Sequence, residues 1–155
     1  MARWQEFENQ APEIAEGGRA LIYQHGIGLG YLATVRKDGG PRIHPFCPSI
    51  AVGGLYGLLG PSPKRRDLAR DPRAAIHAFP AEEVDDEFYL AVRARREPDA
   101  AICEAVTAVY RATGGNTSDD ELLFEFDIER ALLATYKHRG DWPPLYRKWA
   151  DKGAL

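Results

Sequence analysis

The order of residues from Leu32 to Arg65 restricts this chain more than any other feature. Leu32-Ala33-Thr34-Val35 reads as a strand, Asp38-Gly39-Gly40 as a tight turn, and Pro41-Arg42-Ile43-His44-Pro45 as the returning strand. Glycine tolerates the positive φ that such a turn demands. A third strand follows, and then Ser62-Pro63-Lys64-Arg65 opens a helix, with a capping hydroxyl ahead of a proline at the first helical position. Tight turns of this kind join antiparallel strands. The same order brings a strand-borne polar row and a cationic helix start towards one anionic group. A phosphate suits that position, because unpaired helix N–H groups and Lys or Arg side chains both favour it.

The remaining pattern extends the reading to a single domain over residues 1–155. Phe7, Ala11, Ile14, Gly18 and Leu21 follow three-four spacing, which predicts an amphipathic helix over 6–24 with a break at Gly17-Gly18. Strands are predicted over 30–36, 41–52, 55–59, 73–79 and 88–95. Pro41, Pro45 and Pro48 make 41–52 an edge or bulged strand, because proline donates nothing to a ladder. The Ser62 helix ends at Asp71-Pro72. Pro98-Asp99 opens another helix that Gly114-Gly115 closes. Phe124, Phe126 and Ile128 alternate with Glu125 and Asp127, a half-buried strand running to Tyr136 with a kink near Glu129-Arg130. Residues 137–155 read as a tail, with Trp142, Tyr146 and Trp149 docking it or contacting a second subunit. Six mostly antiparallel strands with attached helices give a mainly-β α+β fold of barrel or sandwich type.

Charge narrows the partners. Residues 36–73 carry eight Lys or Arg against three Asp, whereas residues 81–130 carry fourteen Asp or Glu against five Arg. Such a split suits a local basic pocket on an acidic protein of net charge −3, and it argues against nucleic acid. No apolar run approaches the roughly 20 residues of a membrane helix, and Met1-Ala2-Arg3-Trp4 begins no secretory signal. Cys47 and Cys103 lack metal-ligand spacing, so a cytoplasmic protein with two reduced thiols and no metal is expected. Gly26, Gly28 and Gly30 follow no strand and do not form a dinucleotide loop. Ser49 and Ser62 lie in no nucleophile elbow. No catalytic residue is identifiable.

Tyr31-Leu32-Ala33-Thr34-Val35, Asp38-Gly39, Pro41 to Pro45, Leu55-Tyr56, Ser62-Pro63-Lys64, Asp67-Leu68, Asp71-Pro72-Arg73 and Glu87-Phe88-Tyr89-Leu90 occur in an order that resembles the pyridoxamine 5′-phosphate oxidase-like family. That family has an FMN-binding split β-barrel, and members also hold haem or the deazaflavin F420. The resemblance spans about residues 7–136. It implies a six-stranded antiparallel split barrel, a homodimer with cofactor sites at the subunit interface, and an FMN-dependent oxidoreductase. The alternatives it implies are F420 chemistry on the same fold, or a non-catalytic flavin- or haem-binding protein. It places Ser62 and Lys64 at the phosphate, with Arg65 or Arg42 supplying further charge. His44 stands where the oxidases carry an arginine and Ser49 where they carry a lysine. Pro45, Phe46, Gly57 and Leu58 stand along the flavin ring. The chain ends Trp149-Ala150-Asp151-Lys152-Gly153-Ala154-Leu155 in place of the oxidases' Arg-Leu-x-Pro-like signature, so the expected substrate is not pyridoxamine phosphate. His25, His77 and His138 are read as structural.

Overall fold

The computed structural model describes residues 1–154, and Leu155, the end of the predicted tail, lies outside the described residues. Eight strands form one antiparallel sheet: β1 (Gly30–Val35), β2 (Pro41–Phe46), β3 (Pro48–Ala51), β4 (Gly54–Leu59), β5 (Arg73–Ala78), β6 (Glu87–Arg96), β7 (Leu122–Thr135) and β8 (Leu145–Ala150). Hydrogen bonding follows the path β2-β1-β5-β6-β7-β4-β3, with β8 added to β7. The two end strands, β2 and β3, are consecutive in the chain and separated by Cys47 alone. One residue reaches only a few ångströms, so the sheet curls until its two ends meet.

The strand count corrects the expected six. The predicted strand 41–52 is two strands, because its first half pairs with β1 and its second half with β4. The predicted tail supplies β8, paired with residues 130–135 of β7. The rest of that β7 edge takes β4 at residues 122–125 and the chain start at Ile128, which bridges Ala2. The kink expected near Glu129-Arg130 is present as a register shift: Ala91 faces Arg130 while Val92 faces Ile128, leaving Glu129 extra. The Asp38-Gly39-Gly40 turn also forms, with Gly39 at φ 83°.

Among the described residues there are four α-helices, α1 (Trp4–Gln10), α2 (Pro12–Ile22), α3 (Pro63–Arg70) and α4 (Ala100–Ala112), and a short 3-10 turn over Lys152–Ala154. The expected helix over 6–24 is therefore two, and its break falls at Ala11-Pro12 rather than at the glycines. Proline has no N–H to continue α1 and bars the residue before it from helical geometry; Ala11 sits at φ −140°. Gly17 and Gly18 instead press α2 onto the sheet. A Cβ on Gly18 would stand 2.3 Å from the Phe88 ring, and one on Gly17 would stand 2.6 Å from Leu133. A seven-residue helix such as α1 does not stand alone in water. Burial of Trp4 and Phe7, at about 1.5–3 kcal/mol each, fixes it to the barrel.

The main core gathers Leu32, Leu55, Ile76, Phe88, Leu90 and Phe126 under α1 and α2. A second cluster lies beneath α4, where Val106 meets Ala51, Tyr56 and Leu123. Among the described residues no helix is long and apolar enough to cross a membrane.

Candidate functional site

The helix start read from the sequence is built as expected. Ser62 is extended (φ −155°, ψ 161°), and its Oγ accepts the Arg65 N–H at 3.4 Å while its carbonyl accepts from Arg66 at 3.2 Å. Pro63 has no N–H, so Lys64 presents the one first-turn backbone donor without a protein partner among the described residues. Lys64 precedes buried Asp67 and Leu68 by three and four positions, and therefore shares their face of α3. Its side chain is half-buried, and no carboxylate lies within 4 Å of its ammonium among the described residues.

Asp67 is treated in the opposite way. It is 3% exposed and accepts from Arg42 Nε at 2.7 Å, Thr34 Oγ1 at 2.9 Å and Arg70 Nη2 at 3.3 Å. Burial pushes the Asp67 carboxyl up, but the hydrogen bonds from Arg42, Thr34 and Arg70 outweigh it and hold the group below the ordinary aspartate range. Arg42 thus reaches the site with its charge matched by Asp67.

Arg42, His44 and Phe46 share the inward face of β2, opposite Thr34, Leu32 and Gly30. The His44 Nε2 is buried without a hydrogen-bond partner among the described residues. The Phe46 ring packs edge-on against Phe126 at 5.9 Å. Gly57 leaves room for both rings, since a Cβ there would stand 3.2 Å from Phe126 and 3.3 Å from Phe46. Pro45 points to the outer face, opposite Tyr31. Leu58 belongs to the cluster beneath α4, and Ser49, buried, shares strand parity with Ala51 of that cluster. The fold therefore brings Arg42 to Asp67 of α3, the helix that Ser62 caps and that carries Lys64 and Arg65, keeps His44 on the Arg42 face of β2, and turns the Ser49 and Leu58 side chains to the α4 side.

Several contributors escaped the sequence reading. Asp67 accepts from both Arg42 and Thr34, and neither Asp67 nor Thr34 was given a site role from the sequence; the three-residue spacing of Asp67 from Lys64 was the available signal. Tyr110 on α4 lies beside Cys47, and burial, followed by that thiol, pushes its hydroxyl well above the ordinary tyrosine range. In the expected tail, Trp149 docks on Phe7 at 5.1 Å, while Trp142 is 76% exposed.

No family model matches the chain. Among solved structures it is similar to a haem-binding protein from Mycobacterium smegmatis, with TM-score 0.63 and 20% identity over 89% of this chain. It spans 59% of that protein's length. A NimC/NimA family protein from Clostridium acetobutylicum gives TM-score 0.61 and 20% identity, covering 86% of this chain and 93% of that one. A Listeria innocua protein provisionally assigned as a pyridoxamine 5′-phosphate oxidase gives 0.58 and 20%, covering 74% of this chain and 93% of that one. The curled antiparallel sheet, its helices and these likenesses together identify the fold as the split barrel of the pyridoxamine 5′-phosphate oxidase-like proteins.

Proposed function

We propose that the chain binds FMN at the start of α3 and acts, as a homodimer, as a flavin-dependent oxidoreductase whose substrate is not pyridoxamine phosphate. The observation that carries this reading is Lys64, a half-buried cation beside an unpartnered backbone N–H, with no carboxylate within 4 Å among the described residues. A bound phosphate would give this cation and this N–H a charge-assisted partner. Ser62 caps the first turn and Pro63 fixes its opening backbone angle, so the Lys64 N–H stands at the helix start. Arg65 adds uncommitted charge, because its Nη1 donates to the carbonyls of Leu59 and Asp120 rather than to a carboxylate. The residues present thus fit the phosphate end of FMN. When bound, FMN supplies electron transfer through its ring. The chain's own part is to anchor, orient and limit access.

The outer face of β2-β1-β5-β6 supports the dimer. Pro45, Tyr31, His77 and Tyr89 stand in one cross-strand row, and Ile43, Ala33, Ala75 and Ala91 in the next. Ile43 is 66% exposed, and Tyr31 and Tyr89 are exposed on the same face. An apolar face of that extent is what a second copy would bury. This reading includes a cytoplasmic location, in which Cys47 and Cys103 stay reduced.

A second reading rests on the orphaned His44 Nε2. A histidine nitrogen without a partner is a possible haem ligand, and a haem-binding protein shares the fold. One experiment separates the readings. Freshly purified protein is examined by visible absorption, then titrated with FMN, F420 and haem. A flavin spectrum, or quenching of added FMN that weakens in Lys64→Ala, supports the first reading. A Soret band lost in His44→Ala supports the second, and no binding of FMN at micromolar concentration overturns the first.

A further inference from the structure

Among the described residues, ten of the fifteen arginines have a carboxylate within 4 Å. Of the other five, three line one pocket. Arg65 and Arg66 of α3 and Arg96 at the end of β6 surround a cavity of about 420 Å³ together with Leu68, Leu122 and Phe124. Leu68 and Phe124 are buried, so the interior wall is apolar and the rim cationic. In a protein of net charge −3, unpaired guanidiniums repel one another and lack the ion pairs their neighbours enjoy.

The rim is also oriented. Arg65 Nη1 donates to Asp120 O at 2.7 Å and to Leu59 O at 3.3 Å. These carbonyls hold the guanidinium in position without cancelling its charge. No carboxylate of the Asp119-Asp120-Glu121 turn comes within 4 Å of the three arginines, and Glu97, next to Arg96, is engaged by Arg95 and by the Asp99 N–H. Lys64 and the β2 row do not line the cavity.

We propose that this pocket is a second anion site, distinct from the α3 N-terminus, for a small organic anion whose phosphate or carboxylate headgroup meets the arginines and whose apolar body rests on Leu122 and Phe124. Guanidiniums match the paired oxygens of either headgroup. A volume of this size suits one ring with its headgroup, and an apolar wall with a few convergent polar groups is the usual form of a small-molecule site. Arg65 adjoins both proposed sites, whereas Arg66 and Arg96 belong to this pocket and Lys64 does not, so the two readings are tested by different variants.

The test is calorimetric titration of the full chain with phenyl phosphate, benzoate and inorganic phosphate. The expected result is saturable binding of phenyl phosphate or benzoate, about tenfold tighter than inorganic phosphate, weakening as salt rises. Tighter binding of one organic probe identifies the headgroup, and either supports the site. The Arg66→Ala/Arg96→Ala variant is expected to lose at least tenfold in affinity while melting as the parent protein does and binding FMN unchanged. Lys64→Ala is expected to retain phenyl phosphate binding. The proposal is overturned if neither organic probe saturates, if inorganic phosphate binds equally well, if the double variant binds as the parent does, or if Lys64→Ala abolishes binding.

Discussion

Lys64 and Asp67 stand one turn apart on the same face of α3, one without a partner and the other with three. Removing the Lys64 ammonium deletes a charge-assisted contact to the proposed phosphate, worth about 1.5–3 kcal/mol. Lys64→Ala should therefore weaken FMN binding about ten- to hundredfold in a fluorescence titration while leaving the melting temperature nearly unchanged. Asp67→Asn should do the reverse. It leaves Arg42 and Arg70 without their anion, and a loss of about 1–3 kcal/mol in urea unfolding is expected. The pH dependence follows from the same carboxylate. The native pKa of Asp67 lies below its unfolded value of about 3.9, so its contribution is complete above that pH and disappears as pH falls through the native value. Unfolding free energy should drop as pH falls below about 5 and through the native value, and less steeply in Asp67→Asn. The helix start at Ser62-Pro63-Lys64 was readable in the sequence because caps are local chemistry. The pairing of Arg42 with Asp67 was not, because a helical aspartate in a basic run looks solvated until a strand is laid beneath it.

Among the elements, α2 makes the sharpest contrast between local propensity and packing. Two adjacent glycines weaken an isolated helix, and on that ground a break was expected at Gly17-Gly18. The sheet removes that argument. Phe88 is fully buried and stands where a Gly18 side chain would go. Alanine gains about 1 kcal/mol of helix propensity but overpacks a closed core, at a typical cost of about 1–3 kcal/mol. Gly18→Ala should therefore lower stability in urea unfolding despite being the better helix former; an unchanged or raised midpoint would refute the packing argument. Periodicity revealed β1, β2, α3, α4 and the kinked β7, since each carries a pattern of its own. It did not reveal β8, whose Leu-Tyr-Arg-Lys-Trp-Ala run mixes charge with exposed apolar residues and is ordered by the free edge of β7. Nor did it divide 41–52, because which neighbour a strand pairs with is a tertiary fact.

At the scale of the molecule, the outer face of β2-β1-β5-β6 bears on assembly. Ile43→Asp sets a carboxylate on that face, clear of the core, and should convert the proposed dimer to a folded monomer in light scattering with FMN affinity reduced. A parent protein that is monomeric at micromolar concentration would remove the dimer from the reading. The passage at Cys47 has a different consequence, one of timing. β4 pairs with β3 close by in the chain, but this hairpin joins the rest of the sheet through β7, with Tyr56 opposite Glu125. The hairpins of the first half form from near neighbours, but the seam between them waits for a strand nearly seventy residues later. Refolding should accordingly show a slow closing phase after rapid hairpin formation. During synthesis the early strands must remain unsealed until β7 leaves the ribosome.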